Sequence, residues 1–270
     1  MASNEINTVG AIQDKFGGYW VEWSRSQCLT KAEILGSNVF TVNGNYGDTE
    51  CPRMDDIAKK VNNTVLLLPG DSLYDQSIYG SVVSAGGGFS MDSSITHYVS
   101  QSYYFPSNYT QYCYTSGINR FLTYLDDFTM EAWVYPTASG DYYTIFSCGK
   151  NSFQLRYDTN NQIQVLREWS AVEGIAGSIP LNQWSHIALV HYNRKLSVYL
   201  NGQRILADIG TANFSSAQIF YIGANRTAVE DKNSPRGERF IGRMEQIRVS
   251  NTARYTSNFT PPSGPFPSNG

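Results

Sequence analysis

The sequence predicts an all-β protein built as a two-sheet antiparallel sandwich. Short segments of alternating apolar and polar residues indicate strands, and turn signals separate these segments at roughly ten-residue spacing. The composition agrees, because 14% of the residues are aromatic, only 16% are charged and 23 of the 270 are glycine. Such a chain suits short strands joined by glycine turns. Its length allows one large β domain.

The first 60 residues do not fit the sandwich pattern, and we interpret them as an N-terminal arm or small docking subdomain. Residues 16–23 read F-G-G-Y-W-V-E-W, and residues 52–60 have weak helical character. Aromatic side chains at this density are poorly soluble unless they are covered, either by the protein's own sandwich or by a neighbouring subunit. Both alternatives are open at this point. The candidate assembly contacts are Phe16, Tyr19, Trp20 and Trp23.

The sandwich is predicted to begin with a buried strand over residues 61–68, which Pro69 and Gly70 end. Residues 128–136 then alternate between an apolar core face and a mixed outer face. The core face carries Phe128, Met130, Ala132 and Val134, and the mixed face carries Thr129, Glu131, Trp133 and Tyr135. After a turn at Gly140, three more strands are predicted around residues 145–146, 153–157 and 163–166.

Residues 184–192 are predicted to form a strand that is buried on both faces. Ala188 and Val190 share one face, while Ile187 and Leu189 share the other. A hairpin follows, in which Asn201-Gly202 supplies the two successive positive φ angles of a type I′ turn. The hairpin strands are expected at residues 196–200 and 203–206.

Two motifs resemble a known family. They are F-T-M-E-A-W-V-Y-P at residues 128–136 and R-F-I-G-R-M-E-Q-I-R-V-S-N-T-A-R-Y-T-S-N-F-T-P-P-S-G-P-F-P at residues 239–267. With the hairpin region, they resemble the laminin-G-like, or concanavalin A-like, jelly-roll family. The closing motif looks like a subgroup common in tailed-phage structural proteins. The resemblance implies a jelly-roll sandwich over residues 61–267, followed by a short tail at residues 268–270, but it implies little about activity because this fold hosts lectins, hydrolases and structural modules.

The bulk properties argue against several classes of partner. The formal net charge is -3 and the pI is about 5.6, so nucleic acid is not an expected partner. Residues 1–10 lack the pattern of a secretory signal and no apolar run could span a bilayer, so we expect no membrane association and synthesis in a cytoplasm. The cysteines are widely separated and are expected to be reduced; they are Cys28, Cys51, Cys113 and Cys148.

No catalytic set is visible in the sequence. Glycosidases on this fold need two carboxylates that face the same cleft. Glu131 stands alone in its strand, and Glu168 and Glu173 are five residues apart, which would place them on opposite faces of a continuous strand. His186 and His191 have the same odd separation. We therefore predict that the protein is not an enzyme and needs no cofactor.

Calcium is the one metal ion that the resemblance raises. Laminin-G-like relatives often hold an ion with aspartates near a sheet rim, and Asp71 and Asp75 would correspond here. The usual Ser-Gly-Asn-Gly run after the second aspartate is replaced by Ser-Ile-Tyr-Gly at residues 77–80, which weakens the match. The two aspartates are interpreted either as calcium ligands or as turn formers.

Carbohydrate is a further ligand class that the composition allows, although aromatic residues in such a chain also serve core and sheet-surface packing. Sugars bind flat aromatic faces flanked by planar hydrogen-bonding groups, and loops between sandwich strands can supply both. The candidate ligand-binding residues are Tyr142, Tyr143, Arg167, Trp169, Asn225 and Arg226.

Two functional hypotheses follow, both non-enzymatic. In the first, which relies on the resemblance and the aromatic arm, the chain is a phage virion structural protein, an outward-facing capsid decoration or cement subunit. Its arm would attach it to other capsid or tail subunits, and it would form homo-oligomers at the virion surface. In the second, it is a tail-associated adhesin that binds host-surface glycan through the sandwich loops.

Overall fold

The structure is a computed structural model. It describes residues 63–106, 111–118, 121–122, 126–148, 153–167, 171–210, 219–225 and 238–267, together with the backbone of four short strands before residue 42. The chain divides into two compact units, Met1–Asn62 and Asn63–Gly270.

The first unit contains two short antiparallel pairs. Strand β1 (Ile12–Gln13) pairs with β2 (Tyr19–Trp20), and β3 (Glu33–Leu35) pairs with β4 (Val39–Thr41). Of the candidate assembly contacts, Tyr19 and Trp20 form β2, while Phe16 and Trp23 lie outside the described residues, as do residues 52–60. The assembly role of this unit stays a prediction.

The described ranges of the second unit contain fifteen strands and no α-helix. Accordingly, no helix in these ranges has the length and apolar character needed to cross a membrane. The strands are β5 (Thr64–Leu68), β6 (Ser84–Gly86), β7 (Ser90–Asp92), β8 (Ser102–Phe105), β9 (Tyr112–Thr115), β10 (Phe128–Pro136), β11 (Tyr143–Cys148), β12 (Phe153–Tyr157), β13 (Gln162–Arg167), β14 (Ala171–Ser178), β15 (Ser185–Tyr192), β16 (Lys195–Leu200), β17 (Gln203–Gly210), β18 (Phe220–Ile222) and β19 (Gly242–Ser250).

These strands form two antiparallel sheets. The eight-stranded sheet has the order β17-β16-β15-β10-β19-β8-β7, and β5 pairs beside β8 along the same edge of β19. The seven-stranded sheet has the order β14-β13-β12-β11-β18-β9-β6. The predicted all-β sandwich is therefore confirmed.

The core lies between the sheets and is filled by alternate residues of their strands. The four residues of β10 that were expected to face inward are all fully buried there. The ring of Phe128 in the eight-stranded sheet stacks on Phe153 of the seven-stranded sheet, with centroids 5.8 Å apart. Each fully buried side chain of this size contributes roughly 1.5–3 kcal/mol, which makes this layer the main source of stability.

Strand β15 is buried on both faces, as predicted. Ile187 and Leu189 belong to the core between the sheets. Ala188 and Val190 face the other way. With Tyr199 of β16 they pack against residues 251–267, which we call the closing segment, through Ala253, Tyr255 and Phe259. The sequence pattern shows that this second face is buried, but it does not show that the chain's own C-terminal segment covers it.

The structure contains the predicted hairpin turn and a second hairpin turn that the sequence did not predict. Asn201 and Gly202 have φ angles of 49° and 77°, as the type I′ prediction requires. Asn193 and Arg194 also have positive φ angles, 49° and 62°, in the turn between β15 and β16.

Strand β14 was not predicted, because Gly174 and Gly177 interrupt its apolar pattern. The structure shows side-chain atoms of Leu206 and Ile209 of β17 close to the position that a Cβ at Gly174 would take.

Candidate functional site

The outer face of the seven-stranded sheet carries polar side chains because its strands alternate strictly. Phe153, Leu155 and Tyr157 of β12 point into the core, so Gln154 and Arg156 point outward. In the neighbouring strand the same alternation places Gln164 outward, directly opposite Arg156.

These outward side chains join in a continuous hydrogen-bonded row, which we call the polar row. It consists of Thr144, Gln154, Arg156, Asp158, Gln164 and Glu238. Gln164 Nε2 donates to Asp158 Oδ2 at 2.8 Å, and Arg156 Nε donates to Gln164 Oε1 at 3.0 Å. Arg156 also forms an ion pair with Glu238, to which Gln154 donates a hydrogen bond. Gln154 Nε2 also donates to Thr144 Oγ1, so every planar group in the row is held in place.

Glu238 is the carboxylate at the centre of the polar row. Burial raises its pKa above the ordinary value, while the charge of Arg156 and the hydrogen bonds from Gln154 and Arg156 oppose this shift. The nearby negative charge of Asp141 adds to the rise in pKa. Asp141 and Glu238 therefore lie close enough to interact electrostatically.

An exposed aromatic ring lies against this row. The guanidinium carbon of Arg156 lies 4.0 Å from the centre of the Tyr142 ring, a cation–π contact that fixes the ring beside the row. Tyr142 remains 38% exposed. Its backbone N–H donates to Asp141 Oδ1 at 2.8 Å, which holds the turn before β11.

A series of tyrosines continues the same face toward the other edge of the sheet. In register, Tyr114 of β9 lies opposite Tyr221 of β18, and Tyr221 lies opposite Ser147 of β11. Ring centroids are 6.0 Å apart for Tyr112 and Tyr114, and 6.1 Å apart for Tyr114 and Tyr221. Tyr221 is buried and Tyr112 and Tyr114 are partly buried, and the face combines these phenol rings with amide, guanidinium and carboxylate groups.

The residues predicted to bind ligand fall in different places. Tyr142 lies on this face, but Tyr143 is only 4% exposed and stacks on Tyr157 in the core, with ring centroids 4.9 Å apart. Successive residues of an extended chain point in opposite directions, so only one of the two tyrosines can face outward, and the expectation for Tyr143 is corrected. Asn225 is buried beside the row, where its backbone N–H donates to the Glu238 carbonyl at 3.2 Å.

Two further candidates, Trp169 and Arg226, lie outside the described residues. Arg167 is described only as the last residue of β13.

Four residues of the polar row were not predicted from the sequence, namely Gln154, Arg156, Gln164 and Glu238. The first three occupy the outward positions of predicted strands, which was a usable signal. Glu238 had none, because it is 82 residues from Arg156 along the chain.

Asp75, one of the two aspartates considered for calcium, organises the loop that follows β5. Asp75 is buried, and its Oδ1 accepts the backbone N–H groups of Leu67 and Ser77, both at 2.9 Å. Its Oδ2 accepts the Ser77 hydroxyl at 2.9 Å and the Ser81 N–H at 2.7 Å. The Asp75 carboxylate accepts four hydrogen bonds, which hold this loop against β5. In this position its oxygens do not fit the role of a calcium ligand alongside Asp71.

The outer face of the eight-stranded sheet contains a buried charged cluster that the sequence did not reveal. Glu131 is fully buried, and its Oε1 accepts Arg248 Nε at 2.8 Å. Its Oε2 accepts the Tyr255 hydroxyl at 2.8 Å and lies 3.0 Å from His186 Nε2. Burial alone would raise the pKa of Glu131, but the His186 hydrogen bond and the Arg248 charge outweigh it and lower the pKa to about 2.

Residues 251–267 cover this cluster, and we call the face that they cover the sealed face. The rings of Tyr255 and Phe259 stack 3.5 Å apart, and the Tyr199 hydroxyl donates to the Tyr255 carbonyl at 3.1 Å. Phe266 is buried, and its N–H donates to Gln246 Oε1 at 2.7 Å. Arg248 lies over the Phe266 ring at 4.1 Å. The cluster is therefore a structural element enclosed by the chain.

A polar depression lies at the end of the β15–β16 hairpin and is lined by Asp126, Asp127, Asn193 and Arg194. Asp127 Oδ1 accepts the Asn193 N–H at 3.0 Å, and His191 Nδ1 lies 2.7 Å from the Asp126 carbonyl. These bonds anchor the hairpin to the segment that precedes β10 and give the depression a structural role.

Comparison with known proteins agrees with this architecture. The family model described as the concanavalin A-like lectin/glucanases superfamily matches residues 107–257. Domain 4 of AbnA, an extracellular GH43 arabinanase of Geobacillus stearothermophilus solved with arabinotriose, aligns with a TM-score of 0.54 at 16% identity, covering 71% of this chain and 94% of that one. The binding domain of botulinum neurotoxin DC in complex with SialylT aligns with a TM-score of 0.53 at 13% identity. The alignment covers 72% of this chain and 48% of the neurotoxin domain.

A Trypanosoma rangeli sialidase mutant also aligns, with a TM-score of 0.52 and 15% identity, covering 81% of this chain and 39% of the sialidase. This chain thus spans about half the length of the neurotoxin domain and less of the sialidase. At these identities the likeness shows the fold alone. No curated protein sequence matches the chain.

Proposed function

The chain belongs to the concanavalin A-like lectin/glucanases superfamily, and from that premise we propose that its sandwich binds carbohydrate. The proposed site is the outer face of the seven-stranded sheet around Tyr142 and the polar row. The solved relatives include a domain in complex with arabinotriose and another in complex with SialylT, which supports this choice of ligand class.

One observation carries the proposal, namely the exposed ring of Tyr142 fixed beside a row of planar hydrogen-bonding groups. A sugar ring can stack on an aromatic face while its hydroxyls bond to amide, guanidinium and carboxylate groups. Because Arg156, Gln164 and Glu238 already hold one another, little side-chain entropy is lost when a ligand binds.

We also propose that the site binds without hydrolysing. Glu238 is held in an ion pair by Arg156, and Asp141 accepts a hydrogen bond from its own turn. A retaining or inverting mechanism needs one free acid and one free base or nucleophile facing the scissile bond. The prediction of a non-enzymatic protein therefore stands as a proposal, and a reducing-sugar assay on bound oligosaccharides should stay flat.

A glycan array with the full chain tests the binding proposal. Tyr142→Ala should abolish the signals that the wild-type protein gives, because it removes the exposed ring. Tyr192→Ala is the matched control, since Tyr192 is 46% exposed but lies at the end of β15 in the other sheet. Signals that survive Tyr142→Ala, or that Tyr192→Ala removes instead, would place binding elsewhere, and an array without signals would reject the proposal.

The attachment of the protein to a virion is a further proposal, supported by the closing motif and by the aromatic residues of the first unit. In this proposal residues 1–60 would bind capsid or tail subunits of a phage particle, and the sandwich would act as the adhesin part on its surface. Electron microscopy of particles with and without the protein would test it. Particles that are unchanged and carry no added density would contradict it.

A further inference from the structure

We propose that the site around Tyr142 selects uncharged saccharides and discriminates against anionic ones such as sialylated or uronic-acid glycans. This inference rests on the proposed carbohydrate-binding function and adds the class of ligand. The observation that carries it is the charge built into the polar row and its neighbour Asp141.

The charges in this set are strongly unbalanced. The polar row contains one arginine, Arg156, and two carboxylates, Asp158 and Glu238, and Asp141 interacts electrostatically with Glu238. One positive and three negative groups give the set a formal net charge of −2. A sugar that stacks on Tyr142 would lie beside this negative charge.

Arg156 offers little compensation to an anionic ligand. Its Nε donates to Gln164, its Nη1 is paired with Glu238, and its guanidinium face lies on the Tyr142 ring. A sugar carboxylate could reach the guanidinium only by displacing the Glu238 carboxylate, which would then be half-buried without its partner. Neutral hydroxyls need no such exchange, because carboxylates and amide oxygens accept hydrogen bonds from them.

The expected discrimination follows from Coulomb interactions. Like charges placed next to each other at a partly buried site oppose binding by a large factor, and the effect decreases with salt because ions screen it. We expect a sialylated glycan to bind at least about tenfold more weakly than its neutral counterpart at low ionic strength. The ratio should shrink when the salt concentration is raised.

The experiment measures binding of the full chain to an array of paired glycans that share a core and differ by a sialic acid or uronic acid. Signals confined to the neutral members support the inference. Equal or stronger signals from the anionic members overturn it while leaving carbohydrate binding intact. No signal from either class rejects the proposed function itself, and the inference with it.

A set of charge variants separates local electrostatics from the overall charge of the protein. Asp141→Asn and Glu238→Gln should each narrow the neutral-to-anionic affinity ratio by about threefold, because each removes one negative charge beside the ring. Asp126→Asn removes the same charge at the β15–β16 depression and should leave the ratio unchanged. If all three variants change the ratio equally, the selectivity comes from net charge and not from the site, and the inference is wrong.

Discussion

The two outer faces of the sandwich use charged residues in opposite ways. On the sealed face, Glu131 is completely buried and is neutralised by Arg248 beneath the chain's own C-terminal segment. On the seven-stranded sheet, Arg156 and Glu238 bond within the polar row beside the exposed ring of Tyr142. The same type of ion pair therefore serves stability on one face, and we propose that it serves recognition on the other.

The comparison teaches that access from solvent, more than residue type, decides the role of a polar cluster. A fully buried charge that loses its partner is strongly unfavourable, so an incomplete sealed cluster should strongly destabilise the fold. The polar row is also largely buried, with Gln154, Arg156, Asp158 and Gln164 each 5–8% exposed, but Glu238 and the ring of Tyr142 reach solvent. Variants that separate these two cases can break or sharpen the comparison.

The largest expected effect is that of Glu131→Gln. It leaves Arg248 buried without a counter-charge and should lower the free energy of unfolding by about 3–5 kcal/mol. Denaturant-induced unfolding measures this loss. Glu238→Gln is the matched control, because its partner Arg156 keeps Gln164 and the Tyr142 ring and this pair is less buried, with side chains 10% and 20% exposed, so the loss there should be smaller. Equal losses in the two variants would remove the distinction between the faces.

The next effect is the dependence of stability on pH. The pKa of Glu131 is lowered in the folded state from 4.5 to about 2, so its stabilisation is complete above about pH 4.5 and is lost as the pH falls toward 2. The expected loss is about 3 kcal/mol. The pKa of Glu238 is raised, so its protonation favours the folded state as the pH falls and acts in the opposite direction.

Unfolding curves measured between pH 7 and pH 2 test this difference. Glu131→Gln should flatten the acid-side loss of stability, whereas Glu238→Gln should make that loss steeper. Parallel curves for the wild-type protein and both variants would contradict the assignment.

A smaller loss of stability is expected when one glycine on each face of the sandwich is replaced by alanine. Gly202 and Gly140 both have positive φ, 77° and 88°. A Cβ at Gly202 would overlap the carbonyl oxygen of Phe259 in the closing segment, while a Cβ at Gly140 would meet nothing within 4 Å. Gly202→Ala should therefore cost more than about 2 kcal/mol and Gly140→Ala only about 1 kcal/mol, as measured by thermal unfolding. The reverse order would show that the closing segment does not depend on this contact.

The smallest effect on stability is expected from Tyr142→Ala. The side chain is partly exposed and makes one cation–π contact, so the unfolding free energy should fall by no more than about 1 kcal/mol. Glycan binding should nevertheless be lost. A large drop in stability would show that Tyr142 is a structural residue, which would remove the basis of the site.

The sequence predicts those parts of the fold that depend on local periodicity. Alternation in β10 and β15 gives their inward and outward residues, and Asn201-Gly202 gives the hairpin. Local pattern also marks Gln154 and Arg156 as outward. It shows which side chains face away from the core, but not what they meet there.

The partners of these side chains come from distant parts of the chain, which is why the sequence does not reveal them. Glu131 and Arg248 are separated by 117 residues, and Arg156 and Glu238 by 82. Tyr142 and Tyr143 looked equivalent in sequence because they flank the start of β11, and only its register shows which ring faces outward. Such contacts depend on strand order, which periodicity alone does not determine.

The most direct test of the proposed division between the two faces is amide chemical-shift mapping of the full chain titrated with the neutral glycan that gives the strongest array signal. We predict shifts concentrated at Tyr142, Arg156 and Gln164, with the amides of Glu131, Arg248 and Tyr255 unchanged. Shifts concentrated on the sealed face, or saturable binding that leaves the polar row unchanged, would contradict it.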